Sequence, residues 1–230
     1  MERFTLKGNP PVEVRLRRSA RARRLSLRVS RIDGDVSLTM PPRAPLRDAL
    51  EFLKDREDWL RGHLDGIQPV PTLADGALVP FEGRELPVVV TPARGRARIA
   101  ADRIEVAAGR PVGAQVKALL KVAARERLVA ASDRYAAALA RPYSRITLRD
   151  TRSRWGSCAP SGALSYSWRL VMAPPAVLDY VAAHEVAHLE QANHSPAFWA
   201  VVARLCPDYA AHRAWLRTDG GALLRYDFGD

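Results

Sequence analysis

Three of the five histidines in this chain fall within eleven residues, in "DYVAAHEVAHLEQANHSPAFW", residues 179–199. His184, Glu185 and His188 form an H-E-x-x-H motif. On a helix, residues i and i+4 lie on one face about a turn apart, so both imidazoles can reach one cation. Glu185 sits too far round to share that cation. It is placed to hold and deprotonate a water beside it. A catalytic zinc site needs a third protein ligand and one open position. His194 is the candidate, but the chain must turn before it can fold back. The sequence predicts that turn: Asn193 ends the helix in the left-handed conformation, and Ser195-Pro196 caps a new one, "AFWAVVARLC". The other two histidines read differently. His63 falls at a helix C-terminus, where it favours the dipole, and His212 reads as an ordinary histidine.

Other chemistry-bearing residues lie just upstream. In "RITLRDTRSRWGSC", Arg154 is a candidate substrate contact and Gly156 permits a close hairpin. Cys158 reads as a small buried hydrophobe, with a thiolate ligand as the alternative. "APSG", residues 159–162, is a turn. "ALSYSWRLVM" then alternates, placing Leu164, Tyr166, Trp168 and Leu170 on one face and Ser165, Ser167 and Arg169 on the other. The two aromatic rings read as core. Arg169 is the second candidate substrate contact.

The elements that must position these residues follow from periodicity. "VEVRLRR" and "RLSLRVS" alternate with period 2, and Asp33-Gly34 predicts a hairpin between Val29 and Val36. Leu46, Leu50, Leu53, Leu60 and Leu64 predict one helix, ended by Gly66, Pro69 and Pro71. "ALVPFEG", "ELPVVVT", "RARIAA" and "RIEVAAG" predict two short hairpins. Residues 112–140 predict a long Ala-rich helix with Val116, Leu119, Leu120, Val122, Ala123 and Leu128 as its apolar face. Pro174-Pro175 opens the helix that carries the histidines.

Composition sets the class. The 230 residues are 47% hydrophobic and 27% charged, the balance of a globular protein with a real core. No apolar run approaches the roughly 18–20 residues that span a bilayer. The start "MERFTLKGNP" lacks a signal-peptide core, and two cysteines make no disulfide framework, so a cytoplasmic location is expected. The net charge is +11, and all but four of the 36 basic residues are arginine. Eight of these arginines crowd into "VRLRRSARARRLSLRVSR", residues 14–31. Non-specific polyanion binding is one expectation, and the solvated face of strands accounts for part of the cluster.

"RWGSCAPSGALSYSWRLVMAP" followed by "YVAAHEVAHLEQANHSPAFWAVV" resembles the YgjP-like metallopeptidase-type family, a relative of SprT-like and minimal gluzincin-type proteins. "RRSARARRLSLRVS", "VSLTMPP" and "DREDWLRGHL" resemble its N-terminal region. The resemblance implies an α+β fold: a zincin-like catalytic domain, with a small β-sheet and the H-E-x-x-H helix, after a β-rich N-terminal region. The expected division is 1–110, with one helix near 45–65, and 111–230. It implies His184, His188 and His194 as Zn2+ ligands and Glu185 as catalytic acid/base. The same three-histidine spacing occurs in metzincins, but their glycine is Gln191 here and no methionine follows His194. Three activities fit the resemblance: a zinc metallopeptidase acting on protein or peptide, a nucleoside triphosphate (UTP) pyrophosphatase at the same metal, and a SprT-like nucleic-acid-associated or non-catalytic module. A strand before the active helix would line the cleft. The sequence carries no Cys-type zinc finger or recognisable nucleic-acid motif.

Overall fold

A computed structural model describes residues 2–30, 34–65 and 73–229. The class is α+β, with seven helices and three small sheets among the described residues. The chain divides into two compact units, Met1–Val70 and Pro71–Asp230. The boundary expected at residue 110 therefore falls inside the second unit.

In the first unit, β1 (Glu2–Leu6), β2 (Val12–Arg18), β3 (Ser26–Val29) and β4 (Val36–Met40) form one sheet in the order β1-β2-β4-β3. Period-2 alternation does the work: Val12, Val14 and Leu16 are buried while Glu13, Arg15 and Arg17 are exposed. The Val29–Val36 pairing is present in antiparallel register, and Gly34 takes φ 72°. Asp33 lies outside the described residues. The expected single helix is two, α1 (Leu46–Asp55) and α2 (Glu57–Leu64), because Arg56 leaves the helical region at φ −107° and ψ 11°. Ala49, Leu53 and Leu60 pack on the inward sheet residues. His63 donates from Nδ1 to the Trp59 carbonyl at 2.8 Å, as its place in the last turn suggests. Gly66, Pro69 and Pro71 lie outside the described residues.

The second unit builds its core around α3, Val112–Leu139. Ala140, in the left-handed conformation at φ 51°, ends this 28-residue helix. Its buried face is Val116, Leu120, Ala123, Ala124, Leu128, Ala131 and onward. Val122, expected on that face, is 58% exposed: it lies off the stripe traced by 116, 120, 124 and 128. The two predicted hairpins, β5 (Leu78–Phe81) with β6 (Arg84–Thr91) and β7 (Arg98–Ala100) with β8 (Arg103–Ala107), join through a parallel β6–β8 pairing. A third sheet has the order β10-β11-β9, from β9 (Arg145–Arg149), β10 (Gly156–Cys158) and β11 (Ala163–Ser167). The β10–β11 pair is antiparallel around the 159–162 turn.

The alternation expected through "ALSYSWRLVM" stops at Ser167. Trp168–Met172 forms a 3-10 turn in which all five side chains are buried. Arg169 is therefore inside the fold rather than on a cleft face. It is 5% exposed and bonds Asp150 through Nε at 2.7 Å. Its Nη1 donates to the Leu223 and Tyr226 carbonyls at 3.0 Å each, and its guanidinium stacks on Trp168 and Phe228. It fastens the C-terminal segment to the core, a structural cation in place of the expected substrate contact.

Helix α4 (Pro175–Ala187) begins at the expected proline. Asp179 on it accepts hydrogen bonds from Arg134 and Tyr135 of α3. The β5–β6 turn bears on its start: Glu82 donates its backbone N–H to the Val171 carbonyl at 2.8 Å, and Gly83, at φ 77°, leaves the room that Pro174 fills. After α4 come α5 (Pro196–Leu205), α6 (Tyr209–Thr218) and α7 (Gly220–Leu223). No described helix is long and apolar enough to cross a membrane.

Removing one partner of a buried, hydrogen-bonded charge leaves the others unpaired. Arg169→Ala is expected to lower stability by about 3 kcal/mol in a denaturant melt. A variant as stable as the parent would contradict this structural role for Arg169.

Candidate metal centre

Helix α4 is apolar on nearly every side. Nine of its thirteen residues are buried, including Glu185, because α3, α5 and β10 enclose it. His184 lies in its last turn, and His188 is the residue that caps it. The helix thus ends at Ala187, earlier than expected, and Asn193 is not left-handed. The reversal is made instead by turns at 188–190, where Leu189, Glu190 and Gln191 donate back to the Val186 and Ala187 carbonyls. Ser195 then caps α5, its hydroxyl accepting from the Phe198 N–H at 3.4 Å, with Pro196 in the first turn as expected.

This break brings His194 back over α4. One ring nitrogen from each of His184, His188 and His194 lies within 4.8 Å of the others. The Nε2 atoms of His184 and His194 are 3.0 Å apart. Ligands at 2.0–2.1 Å from a tetrahedral zinc would stand roughly 3.3 Å apart, so this pair already spans close to one edge of such a site. His188 donates from Nδ1 to the Gln191 carbonyl at 3.0 Å, which leaves Nε2 with its lone pair free. Phe198 stands against all three imidazoles, with ring centroids 4.4–4.9 Å away.

Electrostatics favour the form that binds a cation. Burial, together with His188, His194 and Arg213, pulls His184 down to about 3. Burial also lowers His188, with His194 adding to the effect. Both rings are neutral donors at physiological pH. The donor set, three imidazoles converging on one point, fits a metal ion such as zinc.

Glu185 is 5% exposed, and its Oε2 is buried without a hydrogen-bond partner among the described residues. Burial pushes its carboxyl up to about 8, with the charge of Arg154 opposing. It is therefore largely protonated at neutral pH in the metal-free protein. A neighbouring dication would favour the carboxylate. Gly156 on β10 makes this position possible. A Cβ there would lie 2.5 Å from Glu185 Oε1 and 2.6 Å from its Cγ. Gly156 is thus more than a hairpin residue: it is the gap into which Glu185 fits. The residue pattern alone marks Gly156 in "RWGSC" only as a hairpin glycine.

A cavity of about 380 Å³ opens over the histidines and Glu185. Cys158 lines it and is half-buried, in contrast to the buried hydrophobe expected. Its Sγ reaches the Ala159 carbonyl at 3.5 Å, and burial beside Glu185 raises its thiol above the ordinary range. Arg154 is exposed and lines an adjoining cavity of about 320 Å³ with Arg149, Thr151, Ser165 and Tyr166. The two cavities share Gly156 and Ser157. Ser167, expected to share a face with Ser165, is fully buried. His212 and Arg169 line neither cavity.

A model of the YgjP-like, metallopeptidase domain family matches residues 23–219. The chain belongs to this family. No curated protein and no solved structure matches it. A YgjP-like metallopeptidase domain is a metallohydrolase by class, and the three-histidine cluster is compatible with a metal ion.

Two expectations follow. Gly156→Ala is expected to displace Glu185 and cost about 10²-fold in kcat while metal content is kept, since a shift of about 1 Å at a reacting group has that effect. Unchanged kcat would show that Glu185 does not depend on the gap. The second concerns pH. In the metal-free fold, Glu185 titrates above its unfolded value of 4.5, so stability falls as pH rises from 4.5 to 8. His184 titrates below its unfolded value of 6.5, so its contribution rises with pH and is complete by 6.5. Between pH 6.5 and 8 the chelator-treated protein is therefore expected to lose melting temperature, and Glu185→Gln to lose much less. Parallel declines would show that Glu185 is not the buried acid responsible.

Proposed function

We propose that this protein is a zinc-dependent metallopeptidase that holds its metal through His184, His188 and His194 and uses Glu185 as general base. The observation that carries the reading is the pairing of three converging imidazoles with a buried carboxyl beside them, opening on one cavity. Zinc would supply Lewis-acid polarisation of the scissile carbonyl and of water.

The chain's own residues do the rest. Glu185 accepts the proton of the attacking water and returns it to the leaving nitrogen. Its buried position strengthens that exchange, because a carboxyl with a raised proton affinity is matched to work near neutral pH. Gly156 keeps it in place. The Gln191 carbonyl fixes the tautomer and the plane of His188. β10 is an edge strand whose other neighbour is β11, so an extended peptide can pair along it beside the cavity.

A second reading has an observation of its own. Arg149 and Arg154 line the cavity next to the metal centre, and a pair of arginines suits phosphate oxygens. The same centre would then hydrolyse a nucleoside triphosphate such as UTP, with Glu185 in the same role.

Purified protein is expected to carry about one zinc per chain, and His194→Ala to lower both content and affinity. A casein-type substrate and a nucleotide panel, each run with Glu185→Gln, separate the readings. Peptide-bond cleavage lost in the variant supports the first. Pyrophosphate release with no proteolysis overturns it in favour of the second.

A further inference from the structure

The sheet of the first unit carries its arginines in an order that the linear cluster does not reveal. Strand pairing sets Arg3 opposite Arg15, Arg15 beside Ser37, and Ser37 opposite Arg28. This makes one row, Arg3–Arg15–Ser37–Arg28, across all four strands. The next row is Arg17–Thr39–Ser26. Residues paired across a ladder point to the same face, and Val14, Leu16, Val36 and Leu38 point to the other, into the core. Neighbouring strands are about 4.8 Å apart, so the outward face is about 14 Å wide. The connector from β2 to β3 adds Arg21, Arg23 and Arg24, all exposed, beside the Arg17 row.

Charge is graded along this face. Its acids, Glu13 and Asp35, lie at one end and pair with Arg3 and Arg15. Arg17, Arg21, Arg23, Arg24 and Arg28 form no ion pair among the described residues, and no acid occurs between Glu13 and Asp33. The helical side of the same unit is the reverse. Residues 46–65 hold six acidic against four basic side chains. A chain whose arginines merely reflected composition would spread them; this unit sets Arg3, Arg15, Arg17 and Arg28 on one sheet face and Arg21, Arg23 and Arg24 on the adjoining connector.

We infer that the outward β1-β2-β4-β3 face binds the phosphodiester backbone of a nucleic-acid duplex. Guanidinium groups take phosphate oxygens two at a time, and Ser26, Ser37 and Thr39 supply hydroxyl contacts between them. The face carries no aromatic side chain, since Phe4 packs into the core, so it lacks the stacking platforms that hold single strands. It also lacks an apolar anchor for a membrane. Among the described residues of this unit, the exposed large apolar side chains, Leu46 and Trp59, belong to its helices. The contacts are to backbone, so binding is independent of sequence and strongly salt-dependent. The inference stands apart from the metal centre and holds whichever substrate is hydrolysed there.

The test uses the full chain and a labelled DNA duplex, by fluorescence anisotropy over a salt series. Parallel arms use an RNA duplex, a DNA single strand of equal length and vesicles of anionic lipid. Expected is duplex binding that weakens with salt, about equal for unrelated sequences and weaker for the single strand. Arg17→Ser/Arg23→Ser/Arg28→Ser should lower affinity at least tenfold at low salt and reduce the log–log salt slope by about three. Arg94→Ser/Arg110→Ser/Arg217→Ser removes the same charge from exposed positions of the second unit and should leave binding within about twofold. Arg21→Ser/Arg23→Ser/Arg24→Ser confines the change to the connector and spares the strands; it should also weaken binding. Equal losses in the face and control variants would reduce the effect to net charge and overturn the inference. So would tighter binding to the single strand, or vesicle binding without duplex binding.

Discussion

Strand β10 and helix α4 approach so closely at one point that only a glycine fits. Gly156 faces Glu185 there, with no room for a single carbon between them. Much of the second unit serves that approach. The long helix α3 holds α4 by hydrogen bonds to Asp179, and the β5–β6 turn bears on Pro174 at its start. Arg169 ties Asp150, just ahead of β10, to the C-terminal segment. Each contact limits how far the strand and the helix can drift apart. A carboxyl held in such a gap is desolvated, which is why its proton affinity rises toward the pH at which it would work.

The histidines obey a related constraint. His184 and His188 need only helical spacing, but His194 depends on a compact reversal. The turns at 188–190 provide it, and one of the carbonyls in that reversal, that of Gln191, also orients His188. The segment that returns the third imidazole therefore fixes the second. Phe198, placed by the Ser195 cap, closes the apolar side of the cluster. Burial keeps His184 and His188 neutral, and neutral rings are what a cation requires.

Much of this was legible in the sequence, for identifiable reasons. The i,i+4 spacing, the Ser195-Pro196 cap and the long period of α3 are local signals, and local signals translate directly into helices. The family match agrees with the resemblance carried by the motifs around Arg154 and His184. What was not legible depended on tertiary contact. Alternation through Trp168 and Arg169 looks like a strand, yet burial on all sides favours a 3-10 turn there. Asn193 has the chemistry of a left-handed cap, but the N–H groups of Leu189, Glu190 and Gln191 donate to the Val186 and Ala187 carbonyls and end the helix sooner. Arg56 splits one predicted helix in two, and no local signal distinguishes it from its neighbours. The arginine-rich segment reads in one dimension as a charge run; only strand register sorts it into a face.

The most direct test of the account is X-ray absorption at the zinc edge of the reconstituted protein. Three imidazole nitrogens and one further light-atom ligand at about 2.0–2.1 Å are expected, with one imidazole lost in His194→Ala. A sulfur ligand at about 2.3 Å would place Cys158 in the coordination sphere and contradict the three-histidine centre.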